Sequence, residues 1–166
     1  MQRAVFVSTT AIFTQLNAGS KAVREAAEAA IAASGLDATI LRPTMIYGTP
    51  ADRNMIRLVR WLDRWPLLPV FGDGRSLQQP VHVRDVAWAV VQVLDVPATV
   101  GRAFNLSGAA PLTYNAVVHH TARSLGRRGR CLHLPAAPVI ALLRVFERLG
   151  LDRKSTRLNS SHANIS

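Results

Sequence analysis

Cysteine is almost missing from this chain: Cys131 is the one thiol among 166 residues. That excludes an intramolecular disulfide and fits a reducing compartment, so a cytoplasmic location is expected. With no Cys/His ligand spacing, a structural zinc site is not supported and no metal is expected; His119-His120 reads as a polar helix face. No apolar run is long enough to span a bilayer, and Met1-Gln2-Arg3 leads directly into a strand instead of a signal-peptide pattern. Acidic residues are few, 10 against 20 Lys plus Arg, which leaves a formal charge of +10. Lysine is scarcer still, since Lys21 is the only one before Lys154.

What is present describes a folded, soluble chain, with 49% hydrophobic and 18% charged residues. The length suits one domain, or a domain with a small lobe. Arginine supplies nearly every cation, clustered at Arg123, Arg127, Arg128 and Arg130 and again at Arg144 and Arg148. Such clusters meet phosphate-bearing cofactors, nucleic acid or anionic lipid, or are simply an arginine-rich surface. No aromatic residues interleave with the 123–130 cluster, which weakens a single-strand-binding reading.

Ala4 to Thr10 is an apolar, β-branched run ending in hydroxyls, expected as a buried strand over residues 4–10 that delivers polar groups to a sheet edge. A helix is expected from about Leu16 to Ser34, stopped by Gly35, with Val23, Ala26, Ala27, Ala30 and Ile31 as a small-residue face able to lie close on a sheet. Residues 37–43 form a second apolar strand. Strand, helix, strand implies a parallel crossover, with the turn-rich loop Thr44 to Pro50 facing a ligand crevice. Lys21 enters the helix just beyond the first strand, as a site cation or as a solvated residue of a first turn.

Further on, Asn54 to Trp65 is an amphipathic helix ended by Pro66, Leu67 to Phe71 a strand, and Gly72-Asp73-Gly74 a tight turn. Asp85 is the expected N-cap of a helix over 86–94, residues 101–106 a strand, and Thr113 the N-cap of a helix ending near Gly126. His133 to Gly150 contains Pro135 and Pro138, then Val139, Leu142, Leu143, Val145, Phe146 and Leu149, expected as a helix with a broad apolar face, either docked on the body or resting on a membrane surface. Beyond Asp152 the chain turns polar and aperiodic, and residues 152–166 are expected to be a non-native or disordered tail.

Taken together, Phe6 to Thr10, Ser20-Lys21, Ile40 to Gly48, Gly72-Asp73-Gly74 and Pro80 to Ala87 resemble the NAD(P)-dependent epimerase/dehydratase family, the extended and atypical short-chain dehydrogenase/reductases. The resemblance covers residues 1 to about 130. It implies an α/β fold: the carboxyl-terminal half of a doubly wound parallel (Rossmann-type) sheet with a small substrate-binding lobe. Residues 1–48 would be the second half of the nucleotide-binding domain and 49–150 the lobe, with a strand returning to the sheet at 101–106. The family's Gly-rich pyrophosphate turn is absent, so a fragment is expected.

By the same resemblance, Thr9 matches the hydroxyl that polarises substrate, and Lys21 the lysine that bonds the nicotinamide ribose. Pro43, Thr44 and Ile46 match the segment packed on the nicotinamide of NAD or NADP. The family's catalytic tyrosine stands four residues before that lysine, where this chain has Asn17. An amide has no usable protonation equilibrium near neutral pH, so weak or absent classical redox activity is expected. Tyr47 matches a common loop tyrosine of the family and is the remaining candidate for proton transfer. Gln78 occupies the place where nucleotide-sugar members carry an arginine, and Arg75 is the nearby cation able to meet a substrate anion.

The run around Gln78 looks more like atypical members, including the nucleotide-binding accessory subunit of respiratory complex I. The alternatives are an active reductase or epimerase on a small carbonyl or sugar compound, and a non-catalytic scaffold or membrane-complex accessory subunit. The expected partners are a dinucleotide and a small-molecule substrate, without nucleic acid.

Overall fold

The computed structural model describes residues 3–14, 19–52 and 54–135. Its first unit is a three-stranded parallel sheet in the order β1 (Arg3–Val7), β2 (Asp37–Pro43), β7 (Ala103–Leu106). β2 lies in the middle, with Val5 beside Thr39 and Ile40 beside both Phe6 and Ala103. Its apolar run is buried almost throughout, and Leu41 is fully buried, as a strand covered on both faces requires.

Side chains alternate across a strand, and β2 shows what lies on each side. Arg42 meets Glu28 of α1 (Gly19–Ala33), whereas Thr39 donates to the Thr99 carbonyl at 2.9 Å, in the 3-10 turn that follows α3 (Val83–Asp95). The two helices therefore cover opposite faces of β2. The expected parallel crossover is present, and β7 closes the sheet after the long excursion from residue 44 to residue 102.

Three details depart from expectation. β1 stops at Val7, because the chain turns into a 3-10 helix over Thr10–Phe13, and Thr9 caps that turn instead of extending the strand. Val23, Ala26, Ala27 and Ala30 are exposed; α1 reaches the sheet mainly through Glu28, with Ile31 partly covered. α3 begins two residues before Asp85, and its cap is His82, whose Nδ1 accepts the Arg84 N–H at 3.2 Å.

A second core lies under a two-stranded parallel sheet of β4 (Leu67–Phe71) and β9 (Arg130–Leu134). Leu68 and Val70 point inward from β4 onto Leu58 and Leu62 of α2 (Met55–Arg64) and Val117, Val118 and Ala122 of α4 (Tyr114–Ser124). β9 was not anticipated, because arginines at 127, 128 and 130 hide its short alternation. Thr113 caps α4 as expected, accepting the Ala116 N–H at 3.1 Å. Two small ladders connect the units: β3 (Ile46–Tyr47) runs parallel to β6 (Val81–His82), and β5 (Leu77–Gln78) antiparallel to β8 (Leu112–Thr113). Asn17, the apolar segment 139–149 and the tail 152–166 lie outside the described residues.

Candidate functional site

The carboxyl ends of the three parallel strands gather the hydroxyls. Backbone bonds continue past the strands, from Ser8 N–H to Leu41 O at 2.7 Å and from Thr44 N–H to Leu106 O at 2.8 Å. Ser8, Thr9, Thr10 and Thr44 thus share one edge of the sheet. Thr9 Oγ1 accepts the Ala11 N–H at 3.2 Å, which leaves its own O–H available as a donor. Thr10 donates to Pro43 O at 3.4 Å.

Lys21 is anchored to the far end of the turn that Thr9 begins. Its Nζ donates to Thr14 O at 3.0 Å and lies 3.9 Å from the Glu25 carboxylate, one helical turn on. An ammonium carries three donors, and the side chain remains about one-third exposed. Thr9 and Lys21 therefore bracket one short turn, which Thr10 ties to Pro43.

Thr44 and Ile46 are fixed by the segment before α3. Thr44 Oγ1 donates to Gln79 O at 2.5 Å, Gln79 Nε2 donates to Gly108 O at 2.7 Å, and Ile46 pairs with Val81. A Cβ on Gly108 would stand 2.2 Å from Pro80 O, so only glycine permits this approach. Tyr47 sits edge-on to His82 with ring centroids 5.2 Å apart, and a Cβ on Gly48 would meet His82 Nε2 at 2.5 Å.

The substrate candidates are placed differently. Arg75 is exposed in the Gly72–Gly74 turn; its backbone N–H bonds Asp73 Oδ1 at 3.0 Å and its guanidinium lies 3.9 Å from that carboxylate. Gln78 pairs with Leu112 in the antiparallel ladder. Its neighbour Gln79, not Gln78, joins Thr44 to Gly108.

Below the hydroxyl edge lies a clamp that sequence reasoning missed. Arg42 Nε bonds both oxygens of Glu28, at 3.1 and 3.0 Å, its Nη2 bonds one of them again, and the guanidinium sits 5.4 Å from the Phe13 ring centre. The Arg42 fork holds the Glu28 carboxyl below the usual carboxylate range against the opposing effect of burial, and a bond from Ser8 adds to the lowering. The same bond raises Arg42. A mid-helix glutamate reads as solvent-facing; only its register opposite Arg42 reveals the pair.

Two cavities accompany these elements. One of about 380 Å³ lies between α1 and β2–β7, bounded by Ala32, Ala38, Ile40 and Arg102. The other, about 350 Å³, lies between the Tyr47–Pro50 loop, Met55 and Val59 of α2, and Leu125. Neither is lined by Thr9 or Lys21. Among the described residues, no three His, Cys, Asp or Glu side chains gather as a metal site, and no helix is long and apolar enough to cross a membrane.

Residues 18–107 match the profile of the NAD dependent epimerase/dehydratase family. A curated relative, the mitochondrial NADH dehydrogenase [ubiquinone] 1 alpha subcomplex subunit 9 of Arabidopsis thaliana, is 31% identical over 106 residues, which is 62% of this chain and 26% of that protein. The protein of the same description from Dictyostelium discoideum is 26% identical over 77 residues, 46% of this chain and 21% of the relative. Among solved structures, MoeE5 in complex with UDP-glucose and NAD superposes with a TM-score of 0.64 at 26% identity, over 81% of this chain and 52% of that one. The chain thus spans about a quarter of its curated relatives and about half of the solved neighbour. These likenesses support a partial Rossmann-type fold. They also correct the cytoplasmic expectation, because both curated relatives are mitochondrial; a lone thiol reports at most a reducing environment, and several compartments provide one.

Proposed function

The chain belongs to the NAD-dependent epimerase/dehydratase family, and from that premise we propose that the protein holds a nicotinamide dinucleotide as an accessory subunit of an NADH dehydrogenase assembly, with little or no classical redox turnover. The observation that carries the reading is the 31% identity to a curated protein named as such a subunit. In this reading residues 1–48 belong to the dinucleotide-binding domain and 49–150 to a lobe above it, which contributes Arg75 and Gln78.

The strand ends fit one end of such a molecule. Lys21 keeps donors free for a ribose hydroxyl, the Thr9 O–H is unspent, and Pro43, Thr44 and Ile46 are fixed by Leu106, Gln79 and Val81 respectively. The Gly-rich turn that grips a pyrophosphate is absent from residues 1–166, so these residues supply only the nicotinamide end. A bound dinucleotide supplies hydride exchange. This chain supplies a cation, hydroxyls and, at position 17, an amide that moves no proton.

Titration of the full-length protein with NADH and NADPH, read by cofactor fluorescence, tests the reading. Lys21→Ala is expected to weaken binding about tenfold, the worth of one charge-assisted hydrogen bond. Turnover on carbonyl compounds or sugar nucleotides is expected to be negligible in the wild type. A second reading, an active enzyme on a sugar nucleotide, draws on the likeness to MoeE5 with UDP-glucose. Robust wild-type turnover abolished by Lys21→Ala would establish the second reading and overturn the first. Activity gained only in Asn17→Tyr would show that the geometry is competent and the proton relay missing.

A further inference from the structure

The second core has a finished inside and an unfinished outside. On β4, Leu68 and Val70 face inward while Leu67, Pro69 and Phe71 alternate outward, and Leu132 of β9 lies beside Pro69. Leu67, Phe71 and Leu132 are 44%, 59% and 45% exposed, and Trp61 and Trp65 of the adjoining helix end are 42% and 55% exposed. Trp61 Nε1 donates to Leu67 O at 2.9 Å, tying the tryptophan end of α2 to the strand. A contiguous apolar face of this kind marks an interaction surface.

Its rim is cationic. Arg57, Arg60 and Arg64 are exposed on α2, and Arg130 stands beside Leu67 in the sheet register. The one acid of α2, Asp63, is bound to Arg127 at 3.1 Å. We propose that this face docks on an anionic lipid surface, with Leu67, Phe71 and Leu132 entering the acyl boundary, the two tryptophans at headgroup depth and the arginines against lipid phosphates.

Charge complementarity selects this occupant. A second copy of the chain, at +10, would bring like charge to the same rim. So would the apolar segment that follows β9, in which Arg144 and Arg148 outnumber Glu147. A nucleic acid would leave the aliphatic centre of Leu67, Pro69 and Leu132 without a partner. The surface lies on α2 and β4–β9, apart from the hydroxyl edge, and stands independently of the cofactor reading.

The test uses Trp88→Phe protein, in which only Trp61 and Trp65 report. Vesicles of phosphatidylcholine with phosphatidylglycerol are expected to shift tryptophan emission to the blue and to carry the protein down on sedimentation. Arg57→Gln/Arg60→Gln/Arg64→Gln should lower partitioning roughly a hundredfold, at about fivefold per basic residue. Phe71→Ser/Leu132→Ser should also abolish the blue shift, with circular dichroism unchanged. Absence of the shift, or equal binding to pure phosphatidylcholine irrespective of the arginines, overturns the proposal. So does shielding of both tryptophans from iodide before vesicles are added, which would place another part of the chain on the face. Tighter shielding by a single-stranded oligonucleotide than by vesicles would assign the face to nucleic acid and equally overturn it.

Discussion

The sheet β1–β2–β7 and the unit built from α2, α4, β4 and β9 both set helices against parallel strands, yet they hold together differently. In the first, α1 leaves Val23 70% exposed and meets the sheet through the charged pair Glu28–Arg42. In the second, Leu62 and Val118 retain 1% or less of their exposure and the contact is wholly apolar. A hydrogen-bonded charge pair fixes geometry, because it tolerates little displacement, whereas apolar packing supplies bulk stability. The polar clamp lies directly beneath the strand ends that carry Thr9 and Thr44. The region with chemistry-bearing residues is thus the one held by directional bonds.

The largest way to break this contrast is Leu62→Ala, expected to cost about 4 kcal/mol in urea denaturation because the packed inner core cannot collapse around the void. Glu28→Ala should cost about 2 kcal/mol by leaving the half-buried Arg42 without its partner. It should also loosen α1 and weaken cofactor binding, which Leu62→Ala should leave unchanged in the protein that remains folded.

Glu28 further makes the first region acid-sensitive. A carboxyl whose folded value is depressed contributes stability above its unfolded value and loses it as pH falls through the folded one. Stability should therefore decline on acidification below about pH 4, and Glu28→Gln should flatten that decline. The smallest expected effect is that of Thr113→Ala, about 1 kcal/mol from the lost α4 cap, confined to the second region.

Much of this was legible because the signals are local. Residues 37–43 read as a strand from β-branched and apolar composition, and the strand has those bounds. The Thr113 cap followed from a hydroxyl placed before an amphipathic run. The cap at His82 was hidden because Asp85, two residues inside α3, carries the stronger N-cap propensity. β9 was hidden because its partner β4 lies some sixty positions earlier in the chain. Glu28 and Gln79 were missed for the same reason: each acts on a residue brought near only by folding.

Periodicity and turn chemistry in the amino-acid order determined the strand–helix–strand crossover, the hydroxyl-rich strand end and the lone early lysine, since these depend on neighbours within a few residues. Tertiary structure alone decided that Arg42 is neutralised by Glu28, that Thr44 is held by Gln79, and that Leu67, Phe71 and Leu132 share one exposed face with two tryptophans. Those outcomes rest on which distant segments pair and in what register, and a one-residue slip would turn every such side chain to the opposite face.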